Sequence, residues 1–262
     1  MLIPRIIPCL LVKNKGLVKT IQFKDPKYVG DPINAVKIFN EKEVDELIVL
    51  DIDATADNRD PDYKMIENLA AECRMPLCYG GGIKTIEQAK RIFGLGVEKI
   101  AISSAAIENP LFVTMLAKQV GNQSVIVVLD VKKRLFDEKY DIWTHNGQKN
   151  TGKCPVEFSK QFEELGAGEI VINSIDNDGM MKGYNLDLVD KIYDKLNIPM
   201  SVLGGAGSLK DIGQLINKYG IIGAAAGSLF VFKGVYRAVL ISYPNPHEKD
   251  LLINLNFKSG RN

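Results

Sequence analysis

Short apolar, β-branched runs recur along the chain at Ile6–Val12, Glu46–Asp51, Pro76–Tyr79, Lys99–Ser103, Val125–Asp130, Glu169–Asn173, Pro199–Leu203 and Ile221–Ala226. Between them, Pro32–Asn40, Thr85–Phe93, Pro110–Gln119, Pro155–Leu165 and Leu186–Leu196 carry apolar residues at three- and four-residue spacing and end near glycines. The first pattern predicts strands and the second predicts helices. Their alternation throughout implies parallel strands joined by crossover helices. Eight strands in this length favour a closed (β/α)8 barrel over an open sheet, because closure leaves no edge to protect.

An internal repeat points the same way. Gly80-Gly81-Gly82 can be laid over Gly204-Gly205-Ala206, which brings Gly96 over Gly220, Ala101 over Ala225 and Ser104 over Ser228. Further back, Glu46–Asp53 lies over Glu169–Asp176, and Leu10–Lys13 over Leu129–Lys132. Four strands thus match four strands in order. The expected organisation is one barrel over residues 1–241, made of half-barrels of about 1–122 and 123–241, with a tail at 242–262. The tail's Asn, Lys and Gly content suggests a poorly packed end.

Composition narrows the function classes. At 262 residues and 46% hydrophobic the chain can bury one large core. Its net charge of +1 comes from basic residues spread along the chain, not gathered into a nucleic-acid patch. No apolar run is long enough for a membrane span. The N-terminal apolar stretch, broken by Arg5, Pro4 and Pro8, suits a first buried strand better than a signal peptide. Four cysteines without pairing or metal spacing, and only two histidines, read as a reduced, cytoplasmic protein with neither a metal site nor a bound cofactor.

Three groups of residues carry candidate chemistry. Strands that run into glycine-rich turns and then helices make anion sites, because bare backbone N–H groups can close on a phosphate. Gly80, Gly81 and Gly82 with Ser103 and Ser104 form one such pair of turns; Gly205 and Gly207 with Gly227 and Ser228 form the other. The bland alternative is that these glycines only permit tight βα turns. Two working sites half a barrel apart would fit an elongated ligand with a phosphate at each end. Asp130 closes an apolar strand at the C-terminal rim, where active sites of this fold lie, and fits a general acid or base as well as a structural acceptor. Asp51, Asp53, Asp176 and Asp178 also lie at strand ends or just beyond, and Asp178-Gly179 equally fits plain turn chemistry. At the opposite rim Arg5, Glu46, Lys99 and Glu169 start alternate strands and can converge on the axis as a compensated ring, which fits a structural plug as well as a functional gate.

Together these residues resemble the cyclase subunit of imidazole glycerol phosphate synthase, the histidine-pathway family called HisF. The likeness runs from Arg5-Ile-Ile-Pro-Cys to Leu229-Phe230 and is most specific at Gly30-Asp-Pro, Asp45-Glu-Leu-Ile-Val-Leu-Asp-Ile, Gly80-Gly-Gly-Ile, Ser104-Ala-Ala-Ile-Glu-Asn-Pro, Asn150-Thr-Gly, Gly166-Ala-Gly-Glu-Ile and Asp176-Asn-Asp-Gly. The resemblance implies a glutaminase subunit docked on the N-terminal face, over a surface including Glu98, with ammonia passing the ring of Arg5, Glu46, Lys99 and Glu169. It also implies a reaction run by two aspartates, ending strands one and five, as ammonia enters a ribulosyl-aminoimidazole nucleotide and the imidazole ring closes. Asp130 matches the second; the first position is Leu11, which the repeat itself lays over Asp130. Lys19, on the first loop, and Asp178 complete the catalytic set the resemblance implies. Other departures are Leu203 for a phosphate-contacting serine, Ser103 for an asparagine and Met180 for a threonine. Losing a positioned acid–base group costs about 10²–10⁴ in rate. The favoured expectation is therefore a paralogue that keeps the glutaminase dock and the conduit but hands ammonia to a third protein, such as an enzyme installing amidino groups on bacterial surface sugars. An active cyclase–lyase is the alternative, and an isomerase on the same two-phosphate barrel is a third reading that needs no gate.

Overall fold

The computed structural model describes residues 3–259, with side chains as far as residue 253. Eight parallel strands close into a barrel: β1 (Arg5–Lys13), β2 (Leu47–Asp51), β3 (Leu77–Gly80), β4 (Lys99–Ile102), β5 (Val125–Lys133), β6 (Glu169–Ser174), β7 (Met200–Leu203) and β8 (Gly223–Ala226). Each pairs with its sequence neighbours, β5 with β6 included, and β8 pairs with β1 to shut the ring. The expected (β/α)8 architecture is what forms. Principal helices are α1 (Pro32–Glu41), α2 (Tyr63–Glu72), α3 (Ile86–Gly94), α4 (Leu111–Val120), α5 (Pro155–Glu164), α6 (Leu186–Ile192), α7 (Leu209–Tyr219) and α8 (Pro246–Ser259). Several starts are written locally. Asp31 caps α1 ahead of Pro32, and reciprocal capping boxes of Thr85 with Gln88 and Ser208 with Asp211 open α3 and α7.

Both faces of the barrel strands are buried, but against different partners. Side chains facing out, such as Ile6, Leu10, Val49, Ile100 and Leu129, join the helices in one large apolar shell. Those facing in form a separate, smaller cluster of Ile7, Cys9, Ile48, Cys78, Ala101, Ile126, Val128, Val171, Leu203 and Ala225, with Leu11 and Leu50 at its edge. Burial on both sides is why each strand reads as an unbroken apolar run.

The structure revises the register of the repeat at its glycine turns. Left-handed backbone occurs at Gly81 and Gly82 (φ 119° and 73°) and at Gly204 and Gly205 (φ 92° and 115°). A Cβ on Gly81 would lie 2.4 Å from the carbonyl of Asp51, and one on Gly204 would lie 2.6 Å from that of Ser174. Gly81 therefore corresponds to Gly204, one position away from the overlay of identical glycines, and the caps Thr85 and Ser208 keep the same offset. The extra residue of the second half is absorbed between α7 and β8, so the later matches, Ala101 with Ala225 and Ser104 with Ser228, stand. Leu203 then occupies the place of Gly80, and both face the barrel interior.

Two hairpins, not anticipated from the pattern, rise from the C-terminal rim. Strands Gly16–Ile21 and Lys24–Gly30 extend β1, and Tyr140–Thr144 with Lys149–Asn150 extends β5, at equivalent points of the two halves. They meet tip to tip, with Phe23 packed over Gly147. The expectation of a poorly packed tail also needs correction for its first part. Tyr243 is buried and donates its hydroxyl to the Ile6 carbonyl at 2.8 Å, Lys249 pairs with Asp45, and Leu252 packs near Gly213 of α7. A tyrosine and a few aliphatic residues suffice to dock a segment whose average composition is polar. Side chains beyond residue 253, and residues 260–262 altogether, lie outside the described part.

Candidate functional site

A cavity of about 130 Å³ opens at the C-terminal rim. Most of the residues singled out from sequence line it together: Lys19, Gly80, Gly81, Gly82, Ser103, Ser104, Asp130, Asp178, Gly205, Gly227, Ser228 and also Leu11. Gly207 does not. Its N–H donates to Asp211 at 2.9 Å, and a Cβ there would meet the Met181 carbonyl at 2.3 Å, so this glycine serves a cap and a close packing contact. Ser104 and Ser228 each open a short helix at the cavity edge (Ser104–Glu108 and Ser228–Val231), and the Ser104 hydroxyl accepts the His145 N–H at 3.2 Å. The Ser103 hydroxyl is buried with no partner among the described residues.

Three titratable side chains, Asp130, Lys19 and Asp178, lie at the floor of this cavity. Asp130 ends the inward-facing row of β5 and accepts from the Asn173 amide at 2.9 Å, across the β5–β6 pairing that sets the two side by side. Enclosure raises its carboxyl to about 7, against the lowering effect of the Asn173 hydrogen bond. A group poised there can give or take a proton near neutrality. Lys19, carried on the first hairpin and 4% exposed, donates to the Cys9 carbonyl at 2.7 Å and lies against Gly227. Burial lowers its pKa, offset in part by Cys9 and Asp178. Asp178 accepts from the Thr20 hydroxyl at 2.8 Å; burial raises its carboxyl while Thr20 and Lys19 work the other way.

The opposite half of the cavity floor is apolar. Leu11 pairs in register with Leu50 across β1 and β2, as Asp130 does with Asn173 across β5 and β6. The repeat therefore presents one layer twice, once as two leucines and once as a carboxylate beside an amide. Asn173, Thr20, Phe23, His145 and Asn146 line the cavity as well and were not anticipated. For Asn173 a signal existed, since the repeat laid it over Leu50, but its adjacency to Asp130 depends on strand register.

At the other end of the barrel the four charged residues do converge, although they stand at the starts of β1, β2, β4 and β6 and so not on strictly alternate strands. Arg5 bonds Glu46 and, at 2.7 Å, Glu169; Lys99 reaches Glu46 at 2.8 Å and Glu169 at 3.4 Å. Ser201 adds a hydroxyl to Glu169. Burial pushes the Glu169 carboxyl up, but Arg5 and Lys99 outweigh it and hold the group below the ordinary range. Arg5 is raised despite its burial, by Glu169 and Glu46. Between this ring and the cavity lies the inward apolar cluster with its two thiols. Asp51 and Asp53 are otherwise engaged, the first with Arg59 and two backbone N–H groups, the second with Lys13. No helix among the described residues is long and apolar enough to cross a membrane.

Comparison with known proteins yields one family and many relatives. The model of a family described as histidine biosynthesis protein matches residues 5–237. A Vibrio vulnificus protein named "Putative imidazole glycerol phosphate synthase subunit hisF3" is 60% identical over 255 residues, 97% of this chain and 98% of that protein. A Leptospira interrogans protein, "Putative imidazole glycerol phosphate synthase subunit HisF", is 57% identical over 252 residues, 96% and 99% of the two chains. A Petrotoga mobilis protein, "Imidazole glycerol phosphate synthase subunit HisF", is 39% identical over 238 residues, 91% and 94%.

Proposed function

The chain belongs to the histidine biosynthesis protein family as a HisF-type synthase subunit, and from that premise we propose that it receives ammonia from a glutaminase and passes it on instead of closing an imidazole ring. The observation that carries this reading is the contrast between the two ends of the barrel. The ion-pair ring of Arg5, Glu46, Lys99 and Glu169 and the uncharged interior above it are intact, which suits passage of a small neutral molecule. At the cavity, the acid–base position of strand one is Leu11, backed by Leu50. A leucine cannot transfer a proton, and Lys19, the titratable side chain bonded two residues away at the Cys9 carbonyl, is a cation and not a carboxylate.

In this reading the glutaminase docks on the N-terminal face, where the ring opens and Glu98 lies beside Lys99. The recipient of ammonia is a third protein that builds amidino groups on a sugar of a surface polysaccharide or flagellin glycan. The cavity is lined by the first glycine loop pair and, of the second, by Gly205, Gly227 and Ser228, which supports binding of a phosphorylated ligand, with no metal or other cofactor needed. A second reading, an active cyclase–lyase of histidine synthesis, is favoured by Asp130, whose carboxyl near 7 remains suited to proton transfer.

Two assays on the purified chain separate the readings. One supplies the aminoimidazole nucleotide with ammonium salt; the other measures glutamine hydrolysis by a HisH-type glutaminase with and without this chain. Stimulated hydrolysis with no turnover of the nucleotide above background is expected. Turnover of roughly 1 s⁻¹ or more would place the protein in histidine synthesis, and absence of any effect on the glutaminase would end both readings.

A further inference from the structure

The barrel interior changes character along its axis. The apolar cluster above the charged ring is aliphatic apart from Cys9 and Cys78. Burial pushes the Cys9 thiol up to about 12 and the Cys78 thiol well above its ordinary value, so neither is charged. At the upper end of this stretch Asp130 and Asn173 stand side by side, in register on β5 and β6. Because the Asn173 amide donates to Asp130, its oxygen must turn away. That oxygen is buried, has no partner among the described residues, and belongs to a side chain only 4% exposed that lines the cavity. It faces Gly204, where an added Cβ would lie 3.0 Å away.

A buried acceptor without a donor costs about 1–3 kcal/mol. Flipping the amide gives no relief while Asp130 is ionised, as it is at alkaline pH, since it would set a carbonyl against the carboxylate. The fold thus holds two acceptors together, one of them open, and what completes them must donate hydrogen bonds. Leu11 and Leu50 across the cavity supply none. A ligand arriving through the uncharged interior has to be small and neutral. Ammonia meets each requirement: its N–H groups can be shared between the Asn173 oxygen and the Asp130 carboxylate, while its lone pair remains directed into the cavity.

We propose that Asn173 is a positioning residue which, with Asp130, holds ammonia where the barrel interior opens into the cavity. The choice of ammonia rests on reading the barrel as a conduit; the open acceptor beside Asp130 does not depend on what happens downstream.

The test is NMR on the full ¹⁵N-labelled chain, titrated with ammonium chloride at alkaline pH and, as control, with potassium chloride. The reporters are the Asn173 side-chain amide and the backbone N–H of Gly204. Saturable shifts of both are expected with the ammonium salt alone. The half-saturating concentration of total ammonium salt should fall about tenfold per pH unit while ammonium predominates, because only the neutral form binds. In Asn173→Leu the Gly204 response should lose its saturation; Asn173→Val, which likewise offers no acceptor, serves the same purpose should the leucine variant fail to fold. Shifts that are linear, equal with both salts, or unchanged in the variant would overturn the proposal while leaving the conduit reading intact. Nucleotide turnover by the unmodified chain would overturn the conduit reading and leave a saturable ammonia site standing.

Discussion

Leu11 and Asp130 are the same position of a duplicated half-barrel, and only the second can transfer a proton. Putting a carboxylate back tests this directly. Leu11→Asp is expected to raise turnover of the aminoimidazole nucleotide, measured with ammonium salt, by about 10²-fold or more over the unmodified chain. Leu50 limits the gain, since it offers the new carboxylate no hydrogen bond of the kind Asn173 gives Asp130. Asp130 itself carries a stability signature. Its folded-state pKa, about 7, lies above the unfolded value, so its favourable contribution is fully present only below that unfolded value and is lost as pH rises towards 7 and beyond. Replacing it with Asn removes this dependence. Asp130→Asn should therefore gain on the unmodified protein between about pH 5 and pH 8, by of order 2–4 kcal/mol, read from urea denaturation at the two pH values. Equal pH profiles would mean that the carboxyl titrates normally.

Among the elements, the barrel strands and most helices were legible because each strand is buried on both faces and each helix has an apolar stripe and a cap. The hairpins were not. Lys24–Gly30 is exposed along most of its length and presents no apolar run, and Lys149–Asn150 is too short to show a period. The glycine turns were visible, but identity misled their alignment by one residue, since a left-handed backbone and the approach of a carbonyl, not the letter Gly, define the equivalent positions. For the same reason these turns tolerate little. Gly81→Ala and Gly204→Ala combine a left-handed conformation with a clash against a backbone carbonyl. Each is expected to cost about 1–3 kcal/mol or more, read as a lower urea midpoint. Of the cavity lining, Asp130 and the loop glycines other than Gly207 could be named from the chain's own pattern, and Lys19 from the family resemblance. Asn173 could not, because its meaning lies in a neighbour more than forty residues away that only strand register supplies.

At the scale of the molecule, the ring at the barrel floor ties charges from the starts of β1, β2 and β4 to that of β6. Removing one member leaves buried charge uncompensated: Arg5→Met strands Glu46 and Glu169 with Lys99 as their remaining cation and should destabilise by about 3–5 kcal/mol at neutral pH. The penalty should shrink on acidification. The depressed Glu169 carboxyl of the intact protein stabilises it above the unfolded pKa, and that contribution disappears as pH falls through the lower folded value. Denaturation at neutral pH and at about pH 4 would show whether the two curves converge. The same ring also acts as a recognition code between the two halves of the chain. A fragment ending near residue 122 carries Arg5, Lys99 and Glu46, while its complement carries Glu169 and Ser201. Two copies of the first fragment would confront four cations with two carboxylates, and two copies of the second would bring a pair of carboxylates together without a cation. Only the unlike pair balances. Co-expressed as separate chains, the fragments should sort into mixed dimers in preference to like ones, so a gene broken between its two repeats would still specify one assembly.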